Sequence, residues 1–147
     1  LLQPFECRIL GNDIIDKNNL CNEFSVKHVS KEMIFAEADF ITIHTPLTES
    51  TYHLINNDTL ARMKQTGFII NTARGPIVNN GDLKRALING TIAGAALDVY
   101  EQEPPTDTEL LQLPNFFCTP HIGGNADEAV MAMGMSAIGH IKEFFGK

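Results

Sequence analysis

The stretch Phe68-Ile69-Ile70-Asn71-Thr72-Ala73-Arg74-Gly75-Pro76 decides the fold. Phe68–Asn71 reads as a continuous apolar strand buried on both faces, the habit of parallel sheets. The run then breaks at Gly75-Pro76, so Arg74 is delivered from a strand-to-loop junction. Toward the N-terminus, Asn57 or Asp58 is placed to cap a helix carrying Leu60 and Met63, ending at Gly67. Before it come a strand over Phe40–Thr45 stopped by Pro46, a helix over Lys31–Ala38 capped by Ser30, and strands over Phe24–Val29 and Cys7–Gly11. Toward the C-terminus, Leu83, Ala86 and Leu87 share one face of a helix over Asp82–Asn89, with Gly90 as its stop. Strands over Ile92–Val99 and Phe116–Cys118 follow. The segment Ala126–Phe145 then repeats Val130, Met133, Ala137, Ile141 and Phe144 at helical spacing.

Strands alternating with helices through short loops favour parallel pairing and a Rossmann-like, doubly wound α/β sheet. Ligands bind such sheets beyond the carboxyl ends of the strands. Asp13, Thr45, Arg74, Asp98 and His121 all fall at such ends, which predicts one composite crevice. Glu103, in Glu103-Pro104-Pro105, follows the same strand as Asp98. A guanidinium, a carboxylate and an imidazole from three junctions suit a 2-keto acid. Arginine grips a planar carboxylate through two parallel hydrogen bonds. Imidazole passes a proton near neutral pH, and a carboxylate orients it. Glu101 competes with Glu103 for that orienting place, and the residues alone leave the choice open. Asp13 is open in the same way: it reads as a ligand for ribose hydroxyls or as the turn residue of an Asn-Asp pair.

At 147 residues, 44% hydrophobic and 20% charged, the chain has the composition of a globular protein with one ordinary domain. Its net charge of -7, with no Lys/Arg cluster, argues against a nucleic-acid-binding surface. No apolar run approaches a membrane span. Cys7, Cys21 and Cys118 form no Cys-x-x-Cys pair, and Cys7 and Cys118 are expected to be buried thiols of a reducing, cytoplasmic protein. His44 is read as a packed core imidazole. His28, His53 and His140 have no partner at metal-ligand spacing, so no metal site is expected. Met131, Met133 and Met135 are read as helix packing.

Four ordered strings carry a resemblance. They are Ala38-Asp39-Phe40-Ile41-Thr42-Ile43-His44-Thr45-Pro46-Leu47-Thr48, Ile70-Asn71-Thr72-Ala73-Arg74-Gly75, Ala95-Ala96-Leu97-Asp98-Val99-Tyr100-Glu101-Gln102-Glu103-Pro104 and Thr119-Pro120-His121-Ile122-Gly123-Gly124. The stretch from Ala38 to Gly124 resembles the nucleotide-binding domain of the D-isomer-specific 2-hydroxyacid dehydrogenases, a group that includes D-3-phosphoglycerate, glycerate and formate dehydrogenases. The resemblance implies Arg74 as the carboxylate clamp, His121 as the proton donor in reduction, and Glu103, directly before proline, as its partner. Glu101 then becomes a solvated neighbour. It also implies NAD as cofactor, with Asp13 on the adenine ribose and repelling a 2′-phosphate. Thr45, Pro46, Thr72 and Ala73 would flank NAD, with Asp98 near the nicotinamide carboxamide and Gly123 and Gly124 beside it.

One departure stands out: no Gly-x-Gly-x-x-Gly turn occurs in the sequence. In the family that turn holds the pyrophosphate and follows a central strand. Leu1–Phe5 looks like the tail of the helix after it. Residues 1–147 are therefore expected to be a partial NAD-binding domain, missing its first strand and glycine-rich turn. Residues 126–147 would be the helix leading back to a substrate-binding domain in a protein roughly twice as long. A homodimer through the NAD-binding domain is implied, with the segment between Asp98 and His121 near the contact. Two other family-type functions are NADH-sensing corepression, like the C-terminal-binding-protein corepressors, and phosphite oxidation.

Overall fold

The computed structural model describes residues 3–15 and 23–146. Leu1, Leu2 and Cys21 lie outside them, and the expected helix tail is a 3-10 turn over Gln3–Phe5. Two parallel sheets follow. Strands β1 (Ile9–Gly11) and β2 (Val26–His28) pair with each other. Strands β3 (Phe40–Ile43), β4 (Phe68–Asn71), β5 (Gly94–Leu97) and β6 (Phe116–Cys118) form the second sheet in sequential order. The α/β class and the parallel pairing are as expected, but the ladder is interrupted between β1 and β3.

The described residues also form helices α1 (Lys31–Glu37), α2 (Asn57–Leu60), α3 (Asn80–Ile88), α4 (Thr108–Leu111) and α5 (Asp127–Phe145). Ser30 caps α1 through the Met33 N–H, as its hydroxyl allows. The cap of α2 is Asn56 rather than Asn57 or Asp58. Its side chain accepts from Asp58 and Thr59 N–H while the Thr59 hydroxyl takes the Asn56 N–H, a reciprocal capping box. Asn79 likewise starts α3 two residues earlier than Asp82 by accepting the Asp82 N–H. The single turn α4, capped by Asp107, is too short to show a period in sequence.

Ile41, Ile43, Ile69, Ala95 and Leu97 bury one face of the larger sheet in a core with Leu60, Leu83, Leu87 and Leu110. Each such aliphatic burial is worth about 1.5–3 kcal/mol, which fixes the register of every strand. The opposite face corrects the reading of β4 as buried on both sides. There Phe68 is 37% exposed and stacks on exposed Phe40 at 5.2 Å between ring centroids, and Phe117 is 68% exposed. Burial alternates along β4 because helices cover only one side. Cys7 and Cys118 are exposed rather than buried; Cys118 ends β6, the edge strand of the larger sheet, and Cys7 precedes β1. Met131, Met133 and Met135 are exposed as well, because no described element covers α5.

Register brings the strand ends level. Ile43 pairs with Asn71, Asn71 with Leu97, and Leu97 with Cys118. The residues that follow each strand therefore emerge along one edge of the sheet.

Candidate active site

At this edge, Asn71 shapes the turn that carries Arg74. It is fully buried; its Oδ1 accepts the Ala73 N–H at 3.0 Å and its Nδ2 donates to the Arg74 carbonyl at 3.0 Å. The buried amide thus replaces the ladder bonds lost when the strand ends. Arg74 is exposed, and its Nη1 donates to the Ala73 carbonyl at 2.6 Å. The next residue explains the glycine. A Cβ on Gly75 would lie 1.8 Å from the Tyr100 carbonyl oxygen, so only glycine lets these two loops touch.

Glu103 and His121 are directly joined. His121 Nδ1 and Glu103 Oε2 are 2.7 Å apart, and the second carboxylate oxygen accepts the Tyr100 N–H at 3.0 Å. The bond to His121 foremost, then that from the Tyr100 N–H, holds the Glu103 carboxyl below its ordinary value. With Nδ1 engaged, Nε2 is the ring nitrogen left to exchange a proton. The pair is open to solvent and ligand, with side chains 49% and 39% exposed. Tyr100 closes the base: its buried hydroxyl faces the Leu97 and Thr119 carbonyls at 3.1 and 3.0 Å, joining the ends of β5 and β6. Burial above all pushes its pKa up to about 12, so it remains a neutral donor.

Asp98 anchors the histidine loop. It is buried, and accepts the Thr119 hydroxyl at 2.5 Å, the Ile122 N–H at 2.9 Å and the Gly123 N–H at 3.0 Å. Those partners bracket His121, whose φ of +55° is a left-handed conformation that needs holding. Burial alone would raise the Asp98 pKa, but the three hydrogen bonds and the nearby His121 charge together bring it below its ordinary value. Gly123 is close-packed here too, as a Cβ would lie 3.1 Å from Asp98 Oδ2, whereas Gly124 has room.

Arg74, Asp98, Glu103 and His121 are therefore carried by loops that touch one another. Thr45 and Thr72 leave the same sheet edge, Thr72 exposed. Asp13 follows β1 on the separate two-stranded sheet, where its Oδ1 accepts the Ile15 N–H at 3.0 Å, the bond of a local turn. His44 corrects the core reading: it lies beyond the end of β3, exposed, with Nε2 2.9 Å from the Thr42 hydroxyl. Glu101 is exposed, as expected, and it is also paired: its Oε1 meets His53 Nε2 at 2.6 Å and its Oε2 accepts the Asn80 N–H at 2.8 Å. Asn71, Tyr100 and the His53–Glu101 pair went unmarked in sequence. A polar Asn closing an apolar strand just before a turn was the one available signal.

The edge offers polar groups that fit NAD. Thr45 Oγ1 is a buried hydroxyl without a hydrogen-bond partner in the structure, in a residue left only partly covered at the strand end. A buried polar atom normally has a partner, and a polar group of a ligand would supply one. Asp98 uses three of the roughly four acceptor sites of a carboxylate, leaving capacity for an amide. These residues fit the nicotinamide end of the cofactor. Among the described residues no cluster of three or more His, Cys, Asp or Glu is arranged to hold a metal ion, and no helix is long and apolar enough to cross a membrane.

Comparison with known proteins identifies the family. Residues 1–123 match the family model for the NAD-binding domain of D-isomer specific 2-hydroxyacid dehydrogenases. The chain is 45% identical to a glyoxylate reductase of Korarchaeum cryptofilum over 125 residues, covering 84% of this chain and 38% of that one. It is 41% identical to a hydroxypyruvate reductase of Thermotoga maritima over 127 residues, covering 84% and 42%. The structure superposes on the D-lactate dehydrogenase of Aquifex aeolicus complexed with NAD and lactic acid at a TM-score of 0.86, with 29% identity, covering 97% of this chain and 47% of that one. The chain thus spans about two fifths of the length of these curated relatives. It belongs to the D-isomer-specific 2-hydroxyacid dehydrogenases, as their NAD-binding domain.

Proposed function

We propose that this chain provides the nicotinamide-side face of an enzyme that reduces a small 2-keto acid to a D-2-hydroxy acid, with glyoxylate or hydroxypyruvate as substrate. The observation that carries the reading is the 2.7 Å bond between Glu103 and His121 on the sheet edge that also bears Arg74. NAD, when bound, supplies the hydride chemistry. Thr45, Pro46, Thr72, Ala73, Asp98, Gly123 and Gly124 would line its nicotinamide side, and Asp13 its adenine ribose. Arg74 would swing from the Ala73 carbonyl to hold the substrate carboxylate by two hydrogen bonds and to stabilise charge growing on the keto oxygen. His121 Nε2 would give that oxygen its proton. Glu103 would fix the ring tautomer and stabilise the imidazolium before transfer.

The glyoxylate and hydroxypyruvate reductases among the relatives support this substrate class. Their greater length supports a second domain that closes over the substrate, with α5 leading toward it. A homodimer through the NAD-binding domain in the cytoplasm, with no nucleic-acid or membrane partner, completes the reading. The test is NADH oxidation by the full-length gene product across a panel of 2-keto acids. His121→Ala is expected to abolish turnover and leave NADH binding intact, and Arg74→Ala to raise KM and lower kcat. Tight NADH binding with no turnover of any 2-keto acid would refute the reading and favour a sensing role.

A further inference from the structure

Two carboxylates two residues apart each grip a histidine from a distant loop. Glu103 holds His121, and Glu101 holds His53 at 2.6 Å. We propose that His53 and Glu101 are positioning residues, which fix the loop bearing Glu103 against the loop bearing Arg74. This rests on the catalytic assignment of those two residues above.

The side-chain polar atoms of the second pair, and the backbone of His53, are committed to neighbouring parts of the site. His53 N–H donates to the Pro76 carbonyl at 2.9 Å, and the His53 carbonyl accepts from Asn56 Nδ2 at 2.8 Å. Asn79 Oδ1 already accepts the Asp82 N–H, so it is the Asn79 amide nitrogen that faces His53 Nδ1, at 3.3 Å. Nε2 then carries the hydrogen that His53 gives to Glu101. The other oxygen of Glu101 takes the N–H of Asn80 in the first turn of α3. Tyr52 stacks on the ring at 4.0 Å between centroids.

The pair thus links three segments: the turn at His53, the stretch Pro76–Asn80 that follows Arg74, and the stretch Tyr100–Glu103. Gly75 and the Tyr100 carbonyl are already in contact at its centre. The Tyr100 N–H secures Glu103 itself, and Glu101 secures the same loop through His53 and the Asn80 N–H. His53 sits at a φ of +49°, a left-handed conformation held by its two backbone bonds. A histidine is kept in that conformation here because its ring spans to Glu101.

Substitution at His53 in the full-length enzyme separates reach from backbone comfort. Asparagine tolerates the left-handed conformation but is too short to meet Glu101; glutamine reaches it. His53→Asn and Glu101→Ala are expected to lower kcat about tenfold or more, the scale on which small misplacement of reacting groups acts. The NADH dissociation constant, read by fluorescence, should stay within about twofold, because the cofactor contacts are elsewhere. The double variant should be no worse than the poorer single one, as for two members of one unit. His53→Gln should recover most of kcat. If His53→Asn and Glu101→Ala keep wild-type kcat at a temperature where both are folded, whatever their melting temperatures, the pair is merely structural and the proposal fails. A wild-type protein that binds NADH yet reduces no 2-keto acid would overturn the dehydrogenase reading, and the positioning role with it.

Discussion

Gly75→Ala tests the tightest contact in the site. The added Cβ would stand 1.8 Å from the Tyr100 carbonyl oxygen, 2.0 Å from its carbonyl carbon and 2.7 Å from the Glu101 nitrogen. All three are backbone atoms, so no side-chain rotation relieves the clash. Restoring even a 3.0 Å approach to the oxygen needs more than 1 Å of separation between the loops of Arg74 and Glu103. Overpacking of this kind typically costs about 1–3 kcal/mol of folding stability. A displacement of about 1 Å between reacting groups costs about 100-fold in rate, or about 2.7 kcal/mol of transition-state stabilisation. The assay is NADH oxidation with glyoxylate or hydroxypyruvate, beside urea unfolding of the same preparation. The expected variant folds with a lower urea midpoint and has kcat/KM down about 100-fold. A variant with kcat/KM within threefold of wild type and an unmoved midpoint would show that the two loops are not in the contact described.

Three further outcomes separate geometry from stability. Gly90→Ala should cost about 1–2 kcal/mol at unchanged kcat, since that glycine has φ +64° and open space around it, a backbone penalty without a clash; the urea midpoint and the steady-state rate check it together. Acid should destabilise the fold below about pH 4.5: Asp98, Glu103 and Asp107 have folded pKa values below their ordinary ones, so the stability they add is present above those values and is lost as pH falls through the folded ones. Asp98→Asn should flatten that acid slope while lowering neutral stability by about 1–3 kcal/mol, because an amide cannot accept all three hydrogen bonds and leaves a buried donor unmet. An acid slope equal to that of wild type would sink this account.

Much of the site was legible because parallel strands have unmistakable apolar runs and their ends fall together in space. Arg74, Asp98, Glu103 and His121 could be placed at those ends from Phe68–Asn71 and its neighbours alone. What supports them was not legible. Whether Glu101 faces solvent or His53 depends on a contact across 48 positions of chain. Tyr100 carried no signal in its own neighbourhood, as its hydroxyl works on carbonyls of two different strands. Burial failed on one side of the sheet for a related reason. Phe40, Phe68 and Phe117 look like core residues in any window, and only the placement of the helices shows which face is covered. The helix starts moved by one or two residues because Asn56 and Asn79 competed with equally good capping residues beside them.

The level row formed by Ile43, Asn71, Leu97 and Cys118 also governs which changes of length the protein can absorb. One residue gained or lost within β4 or β5 would turn every later side chain in that strand through half a rotation, carrying Asn71 or Leu97 out of the interior and spoiling the guanidinium or carboxylate station beyond it. Between Pro104 and Asp107, past Glu103 and ahead of the cap of α4, the chain merely travels from one station to the next, so extra residues there alter the path and leave the destinations in place. Length drift among descendants of this sequence should therefore collect in its connections, while the strands keep their count.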